Sequence, residues 1–292
     1  MRFALLAFAP LRALAACAPE EDDAFYIEDL ASGMDVGNKI YGGSSPTAAE
    51  HDATGSMHTR NTRRGTIGRS PYCSGTLIGS QWFLTAGHCV TSGRGVTSAS
   101  TIAVQFNNTP SSSSSSYYLV DAVYRHSSYN SSTLQNDIAL LHLTSAPSIT
   151  PVPPLPEISG YELTSADAGA NVNFAGFGTT ESGSYGTKLQ VDLPFGGLGC
   201  SVGGCPSGYT SSTYTNMIFS YEQDGTSSSN SDDEGPCSGD SGGPAFMDRG
   251  GDVYVVGVTS WGDSRCRSYG VSTRVDNYEA WIEGYTGDLN GL

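Results

Sequence analysis

Apolar residues in this chain come in short runs broken by turn residues, and nearly all of them have the period of strands. Thr76-Leu77-Ile78 and Trp82-Phe83-Leu84-Thr85 lie close together. Thr101 to Phe106 alternates apolar with polar, and so does part of Tyr117 to Tyr124. Ile138 to Leu143 is almost continuously apolar, as a strand buried on both faces would be. Further strands are predicted at Asn171 to Phe177, Lys188 to Leu193, Val253 to Ser260 and Gly270 to Val275. Only Asp276 to Tyr285, with Tyr278, Trp281 and Ile282, reads as a helix. The stretch holding His51 and His58 is polar and reads as irregular. Short strands with frequent turn signals predict an all-β sandwich or barrel.

The chain has 292 residues, enough for one large domain or two small ones. Charged residues make up 15%, and the formal net charge of −15 argues against a nucleic-acid partner. An acidic surface of this kind serves solubility. No internal repeat of fixed period is visible. The serine run Ser111 to Ser116 and the serine- and acid-rich Thr226 to Glu234 read as solvated loops. Asn107-Asn108-Thr109 and Asn130-Ser131-Ser132 match the glycosylation acceptor pattern.

The first residues have an export pattern. Arg2 supplies a positive start, Phe3 to Leu11 an apolar run too short to span a membrane, and small residues precede Cys17. Residues 1–16 are therefore expected to be a signal peptide and the protein to be secreted. Leu14-Ala15-Ala16-Cys17 also resembles a bacterial lipoprotein processing site, which leaves anchoring through Cys17 as the alternative. Residues 17–39 carry Glu20, Glu21, Asp22, Asp23, Glu28, Asp29 and Asp35 against Lys39 alone, and read as an acidic propeptide. Apart from Cys17 there are Cys73, Cys89, Cys200, Cys205, Cys237 and Cys266. An even number in an exported chain reads as a disulfide framework. Clustered ligand spacing is absent, so no metal and no cofactor is expected.

The chemistry concentrates around Cys237-Ser238-Gly239-Asp240-Ser241-Gly242-Gly243-Pro244. A serine among glycines suits acyl transfer, with the hydroxyl attacking a carbonyl and nearby N–H groups holding the oxyanion. Alone, the run also fits a flexible loop. A serine needs a base, and there are five histidines to weigh. His51, His58, His126 and His142 read as structural or solvated. His88 closes a strand and precedes Cys89, whose disulfide would pin its backbone. The base in turn needs an acid, and Asn136-Asp137-Ile138 puts an aspartate at the mouth of an apolar strand.

Thr85-Ala86-Gly87-His88-Cys89, Asn136-Asp137-Ile138-Ala139-Leu140-Leu141 and Gly239-Asp240-Ser241-Gly242-Gly243-Pro244 together resemble the three catalytic blocks of the trypsin/chymotrypsin family, in the family's order. Ile40-Tyr41-Gly42-Gly43 after Lys39 resembles its zymogen activation site, and Ser260-Trp261-Gly262 the strand lining its cleft. The resemblance implies two packed six-stranded antiparallel β-barrels, residues 40–149 and 150–292, with a C-terminal helix. It implies Ser241 as nucleophile, His88 as base then acid, Asp137 as its orienter, and an oxyanion hole from the N–H groups of Gly239 and Ser241. It implies that Ser260 supports Asp137. Cys73–Cys89 and Cys237–Cys266 match two family disulfides, leaving Cys200 and Cys205 to close a local loop. It further implies cleavage after Lys39, with the ammonium of Ile40 pairing with Asp240. Two departures stand out: Ser220 replaces a frequent cysteine, and Phe177 a frequent tryptophan.

Gly235 falls where trypsin-like members carry an aspartate at the base of the substrate pocket, and Gly262 and Gly270 take its two wall positions. This implies an uncharged slot flanked by Ser260 and Trp261, and cleavage after apolar or aromatic residues. Glu234, Asp233 or Asp263 entering the slot would restore cleavage after Lys or Arg. The other alternative is an inactive homologue used as a binding protein, although His88, Asp137 and Ser241 are all present. The expected partners are protein or peptide substrates, an activating protease and protein inhibitors, with the enzyme itself a monomer.

Overall fold

Two rings of antiparallel strands carry the described part of the chain. The structure, a computed structural model, describes residues 40, 43–111, 113, 116–180, 185–202, 218–222, 234–264, 266 and 268–289. The expected signal peptide, Cys17, the acidic segment with Lys39, Cys205, Asp233 and most of the loop from Thr226 to Glu234 lie outside those residues.

The first ring uses β1 (Thr54–Asn61), β2 (Thr66–Ile67), β3 (Cys73–Leu77), β4 (Trp82–Thr85), β7 (Ile102–Gln105), β8 (Tyr118–Arg125) and β9 (Ala139–Leu143). A small hairpin of β5 (Thr91–Ser92) and β6 (Gly95–Val96) sits outside it. The strand order is β2-β1-β3-β4-β9-β8-β7, and β1 also pairs with β7. That second pairing closes six strands into a ring with β2 appended. The second ring is a closed barrel of β10 (Asn171–Gly176), β11 (Leu189–Leu198), β12 (Ile218–Glu222), β15 (Tyr269–Arg274), β14 (Asp252–Gly262) and β13 (Pro244–Arg249), in that order. Closure leaves neither six-stranded ring a bare edge to pair with another chain. Among the described residues a single α-helix, α1 (Glu279–Thr286), follows one turn of 3₁₀ helix at Asp276–Tyr278.

The apolar runs of the sequence are found as strands. β9 is buried except at His142, and β4 buries Phe83 and Leu84. The stretch expected to be irregular is strand β1. Its residues alternate little because polar side chains are buried in pairs, not exposed. Ser56 Oγ lies 2.8 Å from His58 Nε2, and His58 Nδ1 lies 2.9 Å from the Gly68 carbonyl. Burial pushes His58 down to about 4, so it is neutral in the folded protein. β12 and β13 also went unread, because each is short and adjoins a glycine- and serine-rich stretch.

Each ring borrows its closing contacts from the other end of the chain. Ile40 is 1% exposed and packs in the second core with Phe174, Phe195, Phe219 and Tyr221. Ser44 bridges to Gln190 on β11. Conversely Tyr278 and Ile282 pack in the first core with Phe83 and Leu141. Each core therefore takes residues from both halves of the chain. A third tie is Lys188, 1% exposed just before β11. Its ammonium donates to the carbonyls of His51 at 2.8 Å and Phe106 at 3.0 Å, both in the first half. Burial lowers its pKa to about 8.

Candidate active site

Asp137 enters through a left-handed turn. Asn136 has φ 54°, a conformation asparagine tolerates better than most residues. Its amide donates to the Ser128 carbonyl at 2.9 Å, and its oxygen accepts from the Tyr278 hydroxyl at 3.1 Å. The next residue is thereby turned inward, and Asp137 is fully buried. Oδ1 accepts from the His88 backbone N–H at 2.7 Å, and Oδ2 lies 2.7 Å from His88 Nδ1. A carboxylate can only accept, so Nδ1 carries the proton and Nε2 is left free to take one.

Oδ2 has a second donor, the hydroxyl of Ser260 at 2.5 Å. The β14–β15 register jumps between Thr259↔Ser272 and Trp261↔Val271. Ser260 is thus the bulged residue, and a bulge re-aims a side chain that regular pairing would hold in the sheet. Thr273 Oγ1 reaches the Asp137 carbonyl at 3.1 Å from β15. The second barrel therefore supports an acid carried by the first.

The Ser241 loop is fastened to the histidine loop. The Ser241 carbonyl accepts from the Ser74 N–H at 2.8 Å and lies 3.5 Å from Cys89 Sγ. Cys89 is bonded to Cys73, which fixes the residue after His88. Cys73, His88 and Cys89 place ligand-type atoms within 4.8 Å of one another, but two of these are sulfurs already joined in a disulfide. Gly239 and Gly242 have φ of 97° and 81°, the region where glycine alone is comfortable. A side chain on Gly242 would also strike Thr85 Oγ1 at 2.2 Å.

Asp240 points the other way, into the second barrel, and is 1% exposed. Its oxygens accept from the N–H groups of Gly178 at 2.7 Å and Cys237 at 2.9 Å. A Cβ on Gly176 or Gly178 would lie 2.1 Å and 2.3 Å from its carboxylate oxygens. The two glycines around Phe177 thus form the slot for this side chain. Burial raises its pKa to about 7 against the pull of the two N–H groups. No cationic side chain among the described residues offsets that burial.

Of the expected pocket residues, Gly262 and Gly270 pair directly across β14 and β15. Gly235 is buried with φ 151° and stands two residues before Cys237. The Cys237–Cys266 disulfide ties that segment to the turn between the two walls. Ser260 is 5% exposed, and Trp261 is half-buried against Tyr269. Tyr221 escaped the sequence reading. It pairs with Gly270, and its hydroxyl lies 2.2 Å from where a Gly270 Cβ would be. Burial raises the phenol's pKa, so it stays neutral.

Comparison with known proteins agrees with this geometry. A family model described as Trypsin matches residues 40–282. The chain belongs to the trypsin family. A trypsin of Xenopus laevis is 34% identical over 73% of this chain and 80% of its own length. Trypsin I-P1 of Gallus gallus is 35% identical, over 73% and 78%. Trypsin Blo t 3 of Blomia tropicalis is 30% identical over 94% of this chain and 95% of that protein. Among solved structures, the VesB protease of Vibrio cholerae superposes with a TM-score of 0.61 at 25% identity, over 85% of this chain and 68% of that one. As a member of the trypsin family, this chain is a serine endopeptidase.

Proposed function

We propose that the protein is an exported zymogen whose active form cleaves peptide bonds with Ser241, His88 and Asp137. The observation that carries the reading is the chain of bonds Ser260 Oγ to Asp137 Oδ2 to His88 Nδ1, beside a loop whose Ser241 carbonyl is held by Ser74. Ser241 Oγ attacks the scissile carbonyl and its proton passes to His88 Nε2. Asp137 keeps the imidazole in the required tautomer and stabilises its cation. The oxyanion is received by the N–H groups of Gly239 and Ser241. Collapse breaks the C–N bond, and His88 protonates the departing amine. Water, deprotonated by His88, then repeats the sequence on the ester and frees Ser241.

Activation follows cleavage after Lys39. The new ammonium of Ile40 would meet the buried carboxylate of Asp240, which no cationic side chain among the described residues offsets. Residues 1–16 are removed on export and residues 17–39 on activation. The Cys73–Cys89 and Cys237–Cys266 bridges suit an oxidising, extracellular setting. Three glycines and a neutral phenol around the pocket support cleavage after apolar or aromatic residues.

A fluorophosphonate probe tests the assignment. Protein cut at Lys39 should be labelled once, at Ser241, and Ser241→Ala protein should be neither labelled nor active. Turnover by correctly folded, purified Ser241→Ala protein would sink it.

A further inference from the structure

We propose that Ser74 is a positioning residue that holds the oxyanion-binding turn in register. The inference rests on Gly239 and Ser241 being the oxyanion-binding residues. Ser74 lies on β3, fully buried, directly after the disulfide-bonded Cys73. Each of its polar groups reaches a different part of the site. Its N–H donates to the Ser241 carbonyl at 2.8 Å. Its carbonyl accepts from Thr85 Oγ1 at 2.8 Å, on the strand that leads to His88. Its hydroxyl donates to the Gly239 carbonyl at 2.9 Å and accepts from the Phe177 N–H at 3.1 Å.

The hydroxyl matters because of what Gly239 must do. Its N–H has to point at the developing oxyanion, yet glycine leaves both of its flanking peptides free to rotate. In a trans peptide the N–H points opposite to the carbonyl of the same plane. The direction of the Gly239 N–H is therefore set by the Ser238 carbonyl, which accepts from Thr179 N at 3.0 Å and lies 3.2 Å from Thr179 Oγ1. The following peptide is set by the Gly239 carbonyl, which Ser74 holds. One clamp comes from the second barrel and the other from the first. The Phe177 N–H joins them, because it precedes Thr179 by two residues and ends on the same hydroxyl. Ser74→Ala would leave a half-buried carbonyl and a buried N–H without these partners, and either can be satisfied by turning the peptide.

Ser74→Ala and Ser74→Gly are compared with the natural enzyme after activation, each normalised to the fraction that fluorophosphonate labels to completion. The readouts are kcat and KM for a peptide amide and the Ki of the matching peptidyl trifluoromethyl ketone, which forms an oxyanion adduct on serine. Both variants should lose about tenfold in kcat, less than the ~10²–10³ of deleting a donor outright. Ketone affinity should fall in step and KM should hold. An unchanged kcat, a loss confined to KM, or a ketone affinity that holds while kcat falls would each overturn the proposal. Activity surviving Ser241→Ala would instead remove the acyl-transfer reading itself. A serine requirement with normal Ser74 variants would remove only this proposal.

Discussion

The hydroxyl of Ser260 donates to Oδ2 of Asp137 at 2.5 Å, across 123 residues of sequence and from one barrel to the other. A hydrogen bond to a charged group is worth about 1.5–3 kcal/mol. Ser260→Ala should therefore lower kcat by about tenfold or more, since ~1.4 kcal/mol is a factor of ten. KM should change little, because in the proposed mechanism Asp137 orients the base and does not hold substrate. Steady-state kinetics on a chromogenic peptide measures both, and a kcat equal to the natural enzyme's would show that the bond is not used.

Asp240 predicts that cleavage changes how stability depends on pH. In the uncut chain its pKa is raised from the ordinary 3.8 to about 7. The folded form then holds a proton that the unfolded form has released, so stability falls as pH rises across that window and levels off above it. Pairing with the Ile40 ammonium should abolish the fall. Thermal melts of Ser241→Ala protein from pH 4 to 8, uncut and cut at Lys39, should show a steeper decline for the uncut form. Lys39→Gln protein, confirmed uncut by N-terminal sequencing, should also lack full activity. Parallel melting curves, or an active Lys39→Gln protein, would contradict the switch.

Gly178 should not tolerate alanine. A Cβ there would lie 2.3 Å from an Asp240 oxygen, and overpacking of this kind costs about 1–3 kcal/mol. Asp240 must move, and Ser241 follows it in the chain. Turnover should drop by about 10²-fold, as for a displacement of ~1 Å at a reacting group, along with a lower melting temperature. Retention of both would mean that the slot is looser than its distances imply.

The pocket predicts preference for Phe, Tyr or Leu before the scissile bond. Burial of an apolar side chain gains about 25 cal/mol per Å², and a Lys or Arg charge is costly to bury beside Gly235, Gly262 and Gly270. Paired peptides differing only at this residue give the comparison. A kcat/KM for Arg well above those for Phe and Leu would overturn the reading.

The proposed triad could be named from the sequence because Ser241, His88 and Asp137 each sit in a short local motif, and the structure brings His88 and Asp137 together. The strands were legible where their side chains are apolar. β1 was not, because Ser56 pairs with His58 and with the Gln105 carbonyl inside the ring, a matter of pairing and not of period. Ser74 and Tyr221 were missed for the same reason. Their roles depend on which residue lies across the strand, and nothing in their own neighbourhood announces it. Phe177 was read as a lost tryptophan, whereas the informative residues are the glycines beside it, whose missing side chains make room for Asp240.

The exchange of ends between the barrels bears on how the enzyme could be divided. A break in the linker near residue 149 would free two fragments, each missing a piece of its own interior. The first would lack the plug of Tyr278 and Ile282, the second the anchor of Ile40. Neither fragment should persist as a module alone. Mixed together, they should reassemble, because each carries the stopper that fits the other.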